Sequence, residues 1–271
     1  MPELPEVETT RRGIEPAVIS RIIDRVVVRE PRLRWRIPGE ITSLTPGQRV
    51  QQLRRRAKYL LFDLERGSMI LHLGMSGSLR VMAADAPPLP HDHVDIVLDS
   101  GMCLRFNDPR RFGSLLWTTE DPLKHPLLVR LAPEPLSDEF DAAYLSRIAK
   151  GRRVAIKQLL MNSNLVVGVG NIYASEALFH AGIRPQRSAA RVRQEEFAPL
   201  VRSIRKVLRA AIRQGGTTLR DYVSPDGTPG YFRQKLFVYE RAAEPCRVCS
   251  TPIRRIVQGQ RATYFCPRCQ K

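Results

Sequence analysis

Runs rich in Ile, Val and Leu occupy Arg21–Glu30, Lys58–Leu64, Met69–Leu73, Val94–Asp99 and Met102–Asn107, the last two flanking a Ser-Gly turn. Their length and β-branched content predict strands of an antiparallel, mostly β region. Further along, helical periodicity takes over at about Asp141–Ala149, Arg153–Met161, Asn171–Ala181 and Glu195–Gln214. A helix is also predicted at the start of the chain, with Pro5 in its first turn and an end near Gly13. Gly74-Met75-Ser76-Gly77-Ser78 and Asn107–Gly113 are turn-rich interruptions between strands, where recognition residues tend to sit. Ala83–His93, with Pro87, Pro88 and Pro90, reads as a surface excursion. The pattern is that of an α+β chain in two domains. An antiparallel β-sandwich with an N-terminal helix spans 1–132, a Pro-punctuated linker spans 133–137, a helical domain with a polar, glycine-rich loop at 215–230 spans 138–240, and a cysteine-bearing hairpin spans 241–271.

Charge changes this picture. The 271 residues carry 44 Lys+Arg against 27 Asp+Glu, a net charge of +17. Residues 1–150 hold 22 basic and 20 acidic side chains, net +2, whereas residues 151–271 hold 22 basic and 7 acidic, net +15. A basic bias of the whole composition would not confine the excess to one half, so the second part is the one suited to grip a polyanion, with nucleic acid the usual one. No apolar run reaches the roughly 18 residues that span a bilayer, and the first residues lack the basic and apolar regions of a signal peptide. The expectation is a cytoplasmic monomer with no membrane partner, reaching the nucleoid through DNA.

Four of the five cysteines fall in two pairs, Cys246-x2-Cys249 and Cys266-x2-Cys269, separated by sixteen residues. That spacing predicts one structural Zn2+, because so short a unit has no adequate core and metal binding must supply its folding energy. Cys103 lies in an apolar strand and reads as a buried small hydrophobe.

Other stretches keep two readings open. Met1-Pro2-Glu3-Leu4-Pro5-Glu6-Val7-Glu8 is either a capped helix start or, once Met1 is removed, a nucleophile. The Pro2 nitrogen then becomes a secondary amine of the α-amino type, which titrates at about 7.7–8.0, far below a lysine, and suits Schiff-base formation at an aldehyde-like carbon. Arg54-Arg55-Arg56-Ala57-Lys58-Tyr59 is a solvated charge run ahead of a buried strand, or a binding element. Gly168-Val169-Gly170-Asn171 delivers a glycine turn onto a helix with Asn171 in an N-cap-like position, either an ordinary core contact or a phosphate seat. His91 and His93 form a His-x-His, although Asp92 and Asp95 beside them favour a hydrogen-bonded turn over a metal site.

The N-terminal string, Arg-Ala-Lys-Tyr-Leu, the two turn-rich loops, the glycine turn, the 215–230 loop and the cysteine pairs occur in the order and at spacings compatible with one family. The chain resembles the bacterial formamidopyrimidine-DNA glycosylases over essentially its whole length. The resemblance implies a helix–two-turns–helix bundle in the second domain and a zinc β-hairpin after it. It implies a bifunctional repair enzyme acting on double-stranded DNA that contains oxidised purines or abasic sites. Pro2 is then the nucleophile at C1′, Glu3 the general acid/base, Glu6 the residue that holds the site around the sugar, and Lys58 a phosphate contact that assists catalysis. Met75, Arg110 and Phe112 would fill the hole left by an extruded nucleotide. Lys157, Asn171 and Arg261 would contact phosphate, with His91 counted among the DNA contacts, while Thr217, Thr218, Arg220 and Tyr222 belong to the loop that closes over the oxidised base. A pyrimidine-directed relative of the endonuclease VIII type is the nearest alternative, opposed by Leu4, Met75, Phe112 and the Gly215–Gly230 loop; a non-enzymatic zinc-ribbon DNA-binding protein is the other. Asn162 stands where the family pattern leads one to expect Asp, which touches a local hydrogen bond or helix stop rather than the reaction.

Overall fold

In the computed structural model, which describes residues 2–216 and 236–271, the N-terminal helix α1 spans Leu4–Val18 and does not stop near Gly13. It continues through Pro16 because Ile14 and Val18, one turn apart on the face that carries Val7, are fully buried in the core. Burial of such a side chain is worth about 1.5–3 kcal/mol, so two of them offset the roughly 3 kcal/mol that an interior proline costs a helix. The chain divides into two compact units, Met1–Val129 with Gln214–Tyr231, and Arg130–Arg213 with Phe232–Lys271. The expected linker at 133–137 lies inside the second of these, where Arg205 donates to the carbonyls of Pro135, Ser137 and Phe140.

The first unit builds β1 (Ile23–Val28), a short helix α2 (Glu40–Leu44), β2 (Val50–Arg56), β3 (Tyr59–Leu64), β4 (Gly67–His72), β5 (Ser78–Ala83), β6 (Asp92–Leu98), β7 (Met102–Asn107) and β8 (Ser114–Thr118). They form two antiparallel sheets, in the orders β1-β6-β7-β5 and β2-β3-β4-β8. Val26, Ile96 and Phe106 from the first sheet share one core with Leu53, Phe62 and Leu71 from the second and with Val7 and Ile14 of α1, which makes the unit a sandwich. The basic cluster Arg54–Arg56 is not a run ahead of a strand but the end of β2, an edge strand. Arg54 is tolerated there because it pairs with Asp63 on β3, and Arg55 because it pairs with Glu8 on α1 at 3.0 Å. The proline-rich segment 83–93 is more than a surface excursion. Arg105 on β7 is buried; it grips Asp95 with two bonds of 2.8 and 2.9 Å and donates two further hydrogens to the carbonyls of Ala86 and Pro87. The segment thereby roofs the outer face of β6, all of whose residues are buried.

The second unit contains α3 (Ala142–Ala149), capped by Asp141 accepting from Tyr144 N at 2.7 Å, then α4 (Ile156–Leu160), α5 (Asn171–His180) and α6 (Gln194–Arg213). Strands β9 (Arg254–Gln258) and β10 (Arg261–Phe265) close a hairpin through Gly259 and Gln260, both with positive φ, the conformation a two-residue turn demands. Among the described residues no helix is long and apolar enough to cross a membrane.

Candidate active site and nucleic-acid interface

Three carboxylates line the start of α1. Glu3 is its N-cap residue and Glu6 stands three positions on, forming a capping box in which the Glu3 N–H donates to Glu6 Oε2 at 2.9 Å. Pro2 and Glu3 are buried, and Glu6 is fully enclosed. A Cβ on Gly216 would lie 3.2 Å from Glu6 Oε1, and Gly216 has φ +80°, so only glycine lets this backbone close on the carboxylate. Glu6 therefore touches both the N-terminal backbone and the root of the 215–230 loop. Thr217, Thr218, Arg220 and Tyr222 lie outside the described residues. Glu8 faces the other way. Burial would raise its carboxyl, but hydrogen bonds from Arg12 and Arg11 and the charge of Arg55 outweigh that and hold it below its ordinary value.

Lys58 occupies the two-residue turn between β2 and β3, beside Ala57 at φ +54°. Its charge reaches His72 on β4, a residue that nothing in the sequence pattern singled out. Burial, aided by Lys58 and Arg34, pushes His72 down to about 4, so its ring is neutral at physiological pH. The neutral Nδ1 accepts the Gly74 N–H at 2.9 Å, and the ring lies 4.7 Å from that of Tyr59. His72 thus joins the Lys58 turn to the loop bearing Met75.

That loop and the 108–113 loop touch backbone to backbone. A Cβ on Gly74 would come within 2.4 Å of Gly113 N, which leaves no room for any other residue. Asp108, fully buried, joins the two: Oδ1 accepts from Ser76 Oγ at 3.0 Å and Oδ2 from Gly113 N at 2.7 Å. Its N–H donates to the carbonyl of His91 at 3.0 Å, and its own carbonyl meets His93 Nε2 at 2.9 Å. On this frame Arg110 and Phe112 stand exposed, the guanidinium 5.0 Å from the ring centroid, with Met75 half-buried and His91 exposed at φ +72°. Met75, Arg110, Phe112 and His91 are therefore one loop cluster. Asp92 and Leu89 exchange hydrogen bonds in the hydrogen-bonded turn expected beside His91.

In the second unit the glycine turn delivers Gly170, not Asn171, as the N-cap of α5. Asn171 is freed from capping and donates from Nδ2 to Ala262 O on β10 at 3.0 Å. Its Oδ1 accepts from Lys157 Nζ at 2.6 Å. Lys157, expected to contact phosphate, is 1% exposed, and its ammonium also donates to Thr263 Oγ1 at 2.7 Å and to Ala262 O at 3.3 Å. An ammonium has three protons to offer such acceptors. The buried charge is a pin joining α4, the start of α5 and β10. Gly259 in the hairpin turn rests on Gln158, where a Cβ would meet Nε2 at 2.5 Å. Arg261, next to the pin, is exposed.

The four cysteine sulfurs lie within 4.8 Å of one another, the Cys246–Cys269 and Cys249–Cys266 pairs at 3.9 and 3.5 Å. A tetrahedron of Zn–S bonds of about 2.3 Å spaces its sulfurs by close to that amount, so the donor set fits one zinc. Val248 N and Cys269 N point at Cys246 Sγ and Cys266 Sγ, each at 3.4 Å, as donors to thiolates. Among the described residues these cysteines are the one cluster of metal-ligating side chains. Glu176 on α5 was also not foreseen. Burial pushes its carboxyl up, although it accepts the N–H groups of Phe237, Val238 and Tyr239 at 2.8–2.9 Å. It fastens the segment entering the zinc unit onto α5.

A β-sandwich with a buried carboxylate cap in one unit and a helical unit pinned to a four-thiolate hairpin in the other define a zinc-finger protein of the helix–two-turns–helix class. Residues 1–115 match the formamidopyrimidine-DNA glycosylase N-terminal domain, residues 131–223 the formamidopyrimidine-DNA glycosylase H2TH domain, and residues 243–271 the zinc finger found in FPG and IleRS. The chain belongs to the formamidopyrimidine-DNA glycosylase family. It is 59% identical over 271 residues to the formamidopyrimidine-DNA glycosylase of Thioalkalivibrio sulfidiphilus, covering all of both chains. The solved MutM (FPG) protein of Thermus thermophilus is 42% identical with a TM-score of 0.89, covering 99% of this chain and 98% of that one. A Lactococcus lactis FPG variant solved in complex with a Fapy-dG containing DNA is 32% identical, with a TM-score of 0.93 and complete coverage of both chains.

Proposed function

We propose that this protein excises oxidised purines, 8-oxoguanine and formamidopyrimidines, from duplex DNA and then cleaves the abasic strand. With Met1 removed, the Pro2 nitrogen attacks C1′ of the damaged nucleotide and the bond to the base breaks; the C1′–O4′ bond then opens, O4′ takes a proton, and the C1′–N bond becomes the iminium of a Schiff base. Glu3 carries the proton that this exchange requires. The iminium acidifies the adjacent C2′ proton, so its loss expels the 3′-phosphate, and a second elimination expels the 5′-phosphate. The observation that carries the reading is the buried pair Glu3 and Glu6 next to Pro2, with Glu6 clamped to the Glu3 N–H at 2.9 Å. A terminus meant only to start a helix has no need to enclose both carboxylates, since burying them costs solvation.

Lys58 is assigned a phosphate contact that assists catalysis. Met75, Arg110 and Phe112 are assigned to the space an extruded nucleotide leaves, and Asn171, Arg261 and His91 to the DNA backbone. Lys157 serves that interface from beneath, by holding Asn171 against β10. The zinc shapes the hairpin and takes no part in the chemistry. Borohydride trapping on duplex DNA containing 8-oxoguanine tests the reaction. A covalent adduct through the N-terminal proline is expected. Its absence with protein lacking Met1 would remove the lyase step, and an adduct formed only on oxidised pyrimidines would reassign the substrate.

A further inference from the structure

The loop after β1 carries chemistry that the reaction above does not use. Residues 31–37 read Pro-Arg-Leu-Arg-Trp-Arg-Ile. Leu33 and Ile37 are buried in the sandwich core, Arg32 and Arg36 pair as an antiparallel bridge, and the Ile37 N–H donates to Pro31 O at 2.9 Å. With both aliphatic side chains anchored, the three residues Arg34, Trp35 and Arg36 are presented to solvent. Trp35 is 37% exposed, and the Arg34 guanidinium lies over its ring, 4.9 Å from the centroid. Glu30 neutralises Arg32 through hydrogen bonds of 2.9 Å and also takes Arg111 at 3.1 Å. Arg34 and Arg36, by contrast, have no carboxylate partner among the described residues.

The position of this loop gives it a partner. The Arg34 N–H donates to Gly113 O at 3.0 Å, so the loop hangs from the end of the 108–113 loop that bears Arg110 and Phe112. The charge of Arg34 reaches Tyr59 and His72, the neighbours of Lys58. A tryptophan backed on one face by a guanidinium and flanked by another offers its other face to a planar, electron-rich ring, and every nucleobase has one. Paired bases in an intact duplex are closed to such stacking; a base whose neighbours have been unstacked is not.

We infer that Arg34, Trp35 and Arg36 form a stacking platform for a base displaced from the DNA duplex, with the two guanidiniums on the adjoining phosphates. The inference rests on the DNA-binding reading above, and the platform is sequence-tolerant because stacking reads no base edge. Trp35 and Trp117 are the two tryptophans of the chain. Trp117 packs against the core with its indole nitrogen buried, so Trp117→Phe leaves Trp35 as the fluorescent reporter. Titration with a duplex carrying a tetrahydrofuran abasic analogue is expected to quench Trp35 emission, whereas heparin, a polyanion without bases, leaves it unchanged. Trp35→Ala should weaken binding of that duplex roughly tenfold, as expected for one lost stacked base, with Trp35→Phe restoring most of it. Arg36→Gln should lower the salt dependence by about one phosphate. The quench should also vanish in Trp35→Phe with Trp117 intact, a comparison that does not require Trp117→Phe to fold. Unchanged Trp35 emission at saturating duplex, equal quenching by heparin, or wild-type affinity in Trp35→Ala overturns the platform. Borohydride trapping with the same proteins separates the two readings: an adduct without quenching removes the platform alone, and quenching without an adduct removes the lyase alone.

Discussion

Glu6 holds the Glu3 N–H and lies against Gly216, which leaves the proton transfer to Glu3. Glu3→Gln keeps the shape of the helix start and loses the proton, so base release from 8-oxoguanine DNA should fall by the 10²–10⁴-fold typical of a general acid/base; single-turnover excision measures it, and wild-type rates would take Glu3 out of the mechanism. A chain that retains Met1 has an amide at Pro2 and should form no borohydride adduct while binding DNA nearly as before. His72 carries a pH dependence of its own. Its folded value of about 4 lies below the ordinary 6.5 because burial, with Lys58 and Arg34, disfavours the cation. The unfolded chain therefore binds a proton that the folded chain refuses, and stability falls as pH drops from about 6.5 towards 4. Urea midpoints across that window should fall more steeply for the wild type than for His72→Gln, and parallel curves would show that His72 does not titrate this way.

At the scale of elements, the coupling of α4, α5 and the zinc hairpin governs the second unit. Lys157→Ala takes their shared donor from Asn171 Oδ1 and Thr263 Oγ1, while Ala262 O keeps the Asn171 Nδ2 bond. Each buried polar group left unpaired costs about 1–3 kcal/mol, so denaturant unfolding should register a loss of at least that size, with DNA affinity falling alongside. Cys249→Ser should reach the same interface from the other side, by unfolding the hairpin and releasing Ala262 from Asn171; unchanged DNA binding would make the zinc unit dispensable. The elements most legible in the sequence were those with strong periodicity: α3, α5, α6 and the central strands β6 and β7 fall close to their predicted spans. The strands β2, β5 and β8 were not. Two follow directly on turn-rich loops, and β2 carries Arg54 and Arg55, whose acceptability depends on Asp63 on the neighbouring strand and Glu8 on α1.

For the molecule as a whole, the charge asymmetry is the feature that sequence alone makes measurable. With net +15 concentrated in residues 151–271, affinity for DNA should fall steeply with salt, by a slope near −0.9 for each phosphate neutralised. Arg261→Gln, an exposed cation beside the buried pin, should reduce that slope by about one and leave the ratio of lesion to undamaged affinity unchanged. A shift in the ratio would mean that Arg261 reads the lesion.

The sequence by itself determined the β-then-helical order, the zinc donor set and the membership in one glycosylase family, because strand and helix periodicity, ligand spacing and contiguous motifs are all local properties of the chain. Tertiary structure decided what no local pattern encodes. Lys157 became a buried pin because acceptors from α5 and β10 converge on it. His72 became a neutral link between Lys58 and Gly74 because folding draws its ring out of most of its water, near two cations. Asp108 became the anchor of two loops. A side chain's charge and partners depend on what the fold brings to it, and in these three cases the decisive neighbours include groups from another part of the chain.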